Sequence, residues 1–221
     1  DSLARTAMQG DDLGTETGRG QMDLPRMRKG HITAQFFAVG SSPEHLDTGR
    51  SIHEVLRQID ALKELCARYP EQIEQAYTAS DVRRIVEGGK VAAILCLEGG
   101  HAIEDDLSVL RIYHELGIRY HGLTWNNTHG WADGILDEPQ HDGLTDFGRE
   151  VVRETESLGI LVDVSHSAVS TFWDVMDVVT KPVIASHSSA LALCSHPRNM
   201  SDDQIRSVAD NNGIVCVNFE S

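Results

Sequence analysis

At 221 residues the chain is long enough for one domain with a full hydrophobic core and too short for two comfortable ones, so residues 1–221 are read as a single domain. Acidic side chains outnumber basic ones, 34 to 19, and the formal net charge of -15 argues against nucleic acid and anionic membranes as partners while suiting a cation site. No stretch approaches the roughly 18 consecutive apolar residues of a membrane span, and the opening DSLARTAMQG lacks the charged-then-apolar pattern of a signal peptide, although a start without methionine leaves a cleaved leader open.

Asp1 to Lys29 is rich in Gly, Asp, Thr and Arg with little periodicity and reads as a long loop with at most one helical turn, the Asp11-Asp12 pair solvated within it. HITAQFFAV (residues 31–39) reads as a strand. From Ser51 the apolar positions Ile52, Val55, Leu56, Ile59, Leu62 and Leu65 recur every three or four residues, the mark of an amphipathic helix, and Pro70 stops it. Ser80 with Asp81 is expected to cap a short helix that ends at Gly88-Gly89. Further helices are expected around Leu107–Leu116, from a Thr145 cap to Leu158, from about Ala168 to Val179, and after Ser201, whose first turn carries Asp202 and Asp203 where negative charge suits the helix dipole. Strands are expected over 118–124, 159–166, 182–187 and 214–219. The four cysteines form no CxxC pair; Cys96 and Cys216 lie in apolar runs and read as buried free thiols, which points to a reducing, cytoplasmic setting.

The stretch VAAILCLEGGH (91–101) organises the chain. Its unbroken apolar run reads as a strand buried on both faces, as in a parallel sheet, and delivers Glu98 at its carboxyl end. A charge at the rim of a core asks for a partner or a metal. GILVDVSH and PVIASH repeat the design and end in His166 and His187. One carboxylate and two imidazoles suit a catalytic divalent metal, zinc most readily. Asp163, inside the second of these strands, either supports a ligand from behind or forms a salt bridge within the sheet. His45, His53, His114 and His141 are expected on solvated surfaces, and His101 is left outside the site.

Alternation of strand and helix along nearly the whole chain implies a parallel sheet with helical crossovers. Three ligands at the ends of well-separated strands favour a TIM-like (β/α)8 barrel over an open doubly wound sheet, because a ring turns every strand end towards one mouth. No glycine-rich nucleotide turn is present.

LEGGH, LVDVSHSA, PVIASHSSA and HPRNMSDD, together with AQFF, EGGKVAAI, GIRYHGLT, WADG and VNF in the same order, resemble the renal (membrane) dipeptidase family of binuclear zinc peptidases, including its bacterial members. The resemblance implies a barrel that hydrolyses dipeptides with two zinc ions. Asp1, Glu98, His166 and His187 fall on the metal-ligand positions, Glu98 as the bridging and catalytic carboxylate, and Arg198 falls on the arginine that holds the substrate carboxylate. The histidine of the family's first-strand HxD motif would lie before Asp1, and its late catalytic aspartate would lie after the seventh strand. The expectation is therefore an incomplete barrel, with the first and eighth strands truncated or missing, in a piece of a longer protein. Trp125 stands where active relatives carry a histidine, and His129, four residues on, is the replacement considered for substrate binding. The alternatives are a metal-binding barrel without peptidase activity, in a scaffold or binding role, and a hydrolase of another amide such as a lactam or an N-acyl amino acid. The partners expected are a dipeptide substrate and, since dimers are the commonest assembly, a second copy of the chain.

Overall fold

The structure, a computed structural model, describes residues 2–16, 18–46 and 48–219. In chain order the elements are α1 (Ser2–Gln9), α2 (Leu24–Lys29), β1 (Ala34–Val39), α3 (Ser51–Arg68), β2 (Ile73–Gln75), α4 (Ala79–Glu87), β3 (Val91–Glu98), α5 (Leu107–Leu116), β4 (Ile118–Gly122), α6 (Asp146–Ser157), β5 (Leu161–Asp163), α7 (Val169–Val178), β6 (Ile184–Ser188), α8 (Asp202–Asp210) and β7 (Ile214–Val217).

All the strand pairs are parallel, and the sheet runs β1-β3-β4-β5-β6-β7. β1 lies along one side of β3, from Ala34 opposite Ala92 to Val39 opposite Leu97. The other side of β3 is shared end to end: β2 pairs with Val91 to Ala93, and β4 with Leu95 to Glu98. Among the described strands β1 and β7 end the order without meeting, so the architecture is a curled, open half-barrel.

Side chains alternate along each strand. Phe37, Val39, Ala93, Leu95 and Leu97 pack on the helical side with Val55, Ile59 and Leu62 of α3 and Leu110 and Tyr113 of α5. Their neighbours Phe36, Ala38 and Cys96 turn the other way and cluster with Tyr120 and Ile184 on the inner face. With apolar packing on both faces, the unbroken run of β3 has its physical reason.

The caps at Thr145 and Ser201 form as expected: Thr145 Oγ1 accepts from the Gly148 N–H, and Ser201 with Gln204 makes a reciprocal capping box. Three expectations need correction. α4 is capped by Thr78, whose side chain and that of Asp81 bond each other's backbone N–H groups, and not by Ser80. The three-residue β2 is too short to leave a periodic trace. The amino-terminal stretch is not one long loop: Leu3 of α1 is fully buried, and Asp23 caps α2 by accepting from Arg26 N–H. Asp11 and Asp12 are not simply solvated. Asp11 pairs with Arg5 and Arg19, and Asp12 accepts from Gly14 N–H and the Tyr69 hydroxyl.

Candidate metal centre and adjoining cavity

Glu98 is the last residue of β3 and follows Cys96 by two positions, so its side chain shares the inner face at the carboxyl rim. Two glycines make room around it. Gly99 holds φ at 97°, and a β-carbon at Gly40 would lie 2.6 Å from the Glu98 carbonyl oxygen. His187 lies within β6, and its N–H donates to Ser165 Oγ at 3.1 Å. His166 sits three residues beyond β5 with φ at 68°, a left-handed conformation that side chains other than glycine adopt at a cost. Its carbonyl oxygen is held by the Ile135 N–H at 2.9 Å. Strain of this kind concentrates where a side chain has to be aimed.

β3 and β6 are three strand spacings apart, about 14 Å in a flat sheet. The curl closes that gap. His166 Nε2 and His187 Nε2 each lie 3.1 Å from Glu98 Oε1, and 2.7 Å from one another. Among the described residues these three form the group of metal-capable side chains whose donor atoms all fall within 4.8 Å.

The opposite edge of each imidazole is anchored. His166 Nδ1 is 2.8 Å from Asn126 Oδ1, which can only accept. His187 Nδ1 is 2.7 Å from Ser186 Oγ, and that hydroxyl donates to Asp163 Oδ2 at 2.5 Å. Since Ser186 has one proton and gives it to Asp163, it accepts from His187 Nδ1–H. Both rings therefore carry their proton on Nδ1 and turn Nε2 lone pairs towards one another and towards a carboxylate. Lone pairs and an anion so close repel unless a cation lies among them. The donor set, two imidazoles and a carboxylate, is one that holds zinc with a position left open, so these residues fit a metal.

Protonation states agree with that fit. Burial works to raise the Glu98 carboxyl, but the two imidazoles beside it outweigh burial and hold it well below the usual carboxylate range. Burial lowers the His166 imidazole against the opposing pull of Glu98. Among the described residues Asp163 makes no salt bridge within the sheet. It is buried, which raises its carboxyl, and it accepts from the Ser186 hydroxyl and from the Ser165 and Ser186 N–H groups.

The other sequence-derived candidates lie as follows. Asp1 is outside the described residues. Arg198 is buried beside the histidines, with Nη2 3.4 Å from the His187 carbonyl oxygen. His129 is not brought to the cluster. Its Nε2 donates to the Leu123 carbonyl at 2.9 Å, its ring meets Trp131 edge-on at 4.5 Å, and burial pushes its pKa down to about 4. Its ring is packed within the loop that follows β4. Trp125 is half-exposed, with its ring 6.3 Å from that of His166, and together with Glu98 it lines a cavity of about 640 Å³. Sequence reasoning missed Asn126 and Ser186. Both directly adjoin residues it had singled out, but neither side chain signals by type or spacing that it will meet an imidazole.

Residues 2–221 match the family described as membrane dipeptidase (peptidase family M19). The chain belongs to this metallopeptidase family. It is 37% identical over 208 residues to dipeptidase aclJ of Aspergillus oryzae, across 90% of this chain and 49% of that protein, and equally to dipeptidase tcpJ of Claviceps purpurea. A metallo peptidase from Rhodobacter sphaeroides, solved with a phosphinate mimic of the dipeptide L-Ala-D-Ala, superposes with a TM-score of 0.89 at 28% identity, over 99% of this chain and 72% of that one. The chain thus spans about half the length of the curated M19 relatives it matches, in keeping with a half-barrel. Among the described residues no helix is long and apolar enough to cross a membrane.

Proposed function

We propose that the intact protein hydrolyses dipeptides at a divalent-metal site, with zinc as the favoured metal and Glu98, His166 and His187 among its ligands. The convergence of Glu98 Oε1 with two Nε2 atoms whose rings are both anchored at Nδ1 carries this reading. When bound, the metal supplies a water nucleophile at neutral pH and polarises the scissile carbonyl.

The chain's own residues do the rest. Glu98 contributes an ionised carboxylate, and the family resemblance would add Asp1 as a further ligand if a second ion is bound. Asn126 holds the His166 ring, and the Asp163–Ser186 pair holds His187, so that neither nitrogen has to reorient during turnover. Arg198 can take the substrate's free carboxylate through two parallel hydrogen bonds, fixing one end of the peptide beside the histidines. Dipeptidase relatives and a structural neighbour solved with a dipeptide mimic support this class over lactams and N-acyl amino acids.

The test is elemental analysis of the intact protein together with turnover of a dipeptide panel. The expected outcome is zinc in the purified protein, hydrolysis that a chelator abolishes and zinc restores, and loss of both metal and turnover in Glu98→Ala. Metal bound in full with no dipeptide cleaved would overturn the reading and favour the non-catalytic alternative.

A further inference from the structure

The loop between β4 and α6 is built around a carboxylate that meets the backbone. Asp133 is fully buried. Its Oδ1 accepts from the Gln140 N–H at 2.8 Å, its Oδ2 from the Gly143 N–H at 2.9 Å, and both oxygens from the His141 N–H at 3.2 Å. Burial works to raise this carboxyl, but the converging N–H groups outweigh it and hold it below the usual carboxylate range. A buried charge is tolerated only while such partners surround it, so the carboxylate and the compact turn over residues 133–143 depend on each other.

The main chain of the same turn grips the segment that carries His166. The Asp133 carbonyl oxygen accepts from the Ala168 N–H at 3.1 Å and from the Thr171 hydroxyl at 2.9 Å, at the start of α7. Gly134 bridges to Ser167, and the Ile135 N–H holds the His166 carbonyl oxygen at 2.9 Å. One residue on, the Leu136 N–H donates to the carbonyl of Asn126, whose side chain meets His166 Nδ1. His166 has φ at 68°, a conformation that persists only where its surroundings impose it. His187 needs none of this, because it lies within β6 and its ring is held by Ser186.

We propose that Asp133 is a positioning residue for His166: its side chain fixes the 133–143 turn, and through Ile135 and Asn126 that turn keeps the His166 ring, and not the His187 ring, with Nδ1 protonated and Nε2 towards Glu98. The consequence for metal affinity rests on the metal-site reading above. The hold on the ring is a property of the chain without metal.

The experiment is nitrogen NMR of the imidazoles in the metal-free intact protein at about pH 8, where an ordinary histidine is neutral, followed by zinc affinity from chelator competition. In the unaltered protein both His166 and His187 should be Nδ1–H tautomers. Asp133→Asn keeps the shape but turns an amide donor on the N–H groups, and it should move His166 to a mixture of tautomers, leave His187 as Nδ1–H, and lower zinc affinity about tenfold. Glu156→Gln is the control for general loosening, since Glu156 is likewise a buried carboxylate that accepts backbone N–H groups, those of Thr180 and Lys181 in the turn before β6. It should leave the His166 tautomer unchanged. A folded Asp133→Asn in which His166 stays Nδ1–H overturns the proposal, as does a change of tautomer in both histidines or the same His166 response in Glu156→Gln. If Asp133→Asn does not fold, Thr171→Val, which removes only the hydroxyl bond to the Asp133 carbonyl, decides in the same way: a smaller change confined to His166 supports the role, and none overturns it. Failure of the unaltered protein to bind zinc would remove the metal-site reading and leave the tautomers to decide this one.

Discussion

Two sets of histidines flank the segment that follows β4, and identical side chains are put to opposite uses in them. At the strand ends, His166 and His187 are held at Nδ1 by side-chain acceptors and direct Nε2 at Glu98. Beneath the loop, His101 and His129 give Nε2 to the backbone carbonyls of Ser41 and Leu123, and His121 gives Nδ1 to Thr155. Their remaining nitrogens are buried and find no hydrogen-bond partner among the described residues. Burial governs this second set: it pushes His129 down to about 4 and His121 down to about 3, so both stay neutral. Burial therefore does not tell a ligand from a packing residue. The distinction lies in whether a carboxylate faces the nitrogen left over: His121 is held at Nδ1 as His166 and His187 are, but only the Nε2 atoms of those two lie against Glu98.

The contrast is tested most severely at Glu98. Glu98→Gln keeps the shape and removes the charge, and we expect the metal content at this site and the turnover both to fall to background, measured by elemental analysis and dipeptide assay. Metal retained at wild-type stoichiometry would erase the distinction. Next come the groups behind the ligands. Ser186→Ala releases His187 Nδ1 and Asp163→Asn weakens the acceptor behind it, so each should lower metal affinity about 10- to 100-fold in chelator competition. Unchanged affinity in both would make the anchoring mere packing.

The buried set predicts a pH signature of its own. An unfolded histidine titrates near 6.5, whereas His129 and His121 titrate at about 4 and about 3 when folded. Between those values the unfolded chain binds protons that the folded chain refuses. Their stability contribution is therefore complete above pH 6.5 and shrinks as pH falls, by roughly 2 kcal/mol per histidine at pH 5. Denaturant midpoints at pH 7 and pH 5 read it, and a pH-independent midpoint would contradict neutral burial. The smallest effect is expected from His121→Phe: a stability change of about 1 kcal/mol at pH 7 from the lost Thr155 hydrogen bond, a shallower pH slope, and unaltered metal stoichiometry. Loss of metal in that variant would merge the two sets.

Much of this was legible in the chain. The run from Val91 to Leu97 announced a strand buried on both faces, and three apolar runs leading to Glu98, His166 and His187 announced a cluster that could hold a metal, because alternation is a local property that burial imprints directly on sequence. β5 nonetheless stops at Asp163, three residues short of His166. The parallel order and the amphipathic α3 were readable for the same reason. What only the tertiary structure decided is which polar groups meet. Asn126 reaches His166 across 40 positions and Ser186 joins Asp163 across 23, while His129 turns into packing although its sequence place suggested substrate. Those outcomes depend on the curl of the sheet and on the path of the loop after β4. Hydrogen bonds between distant residues leave no periodicity, so the sequence carries the strand ends while the fold alone decides where each ring nitrogen points.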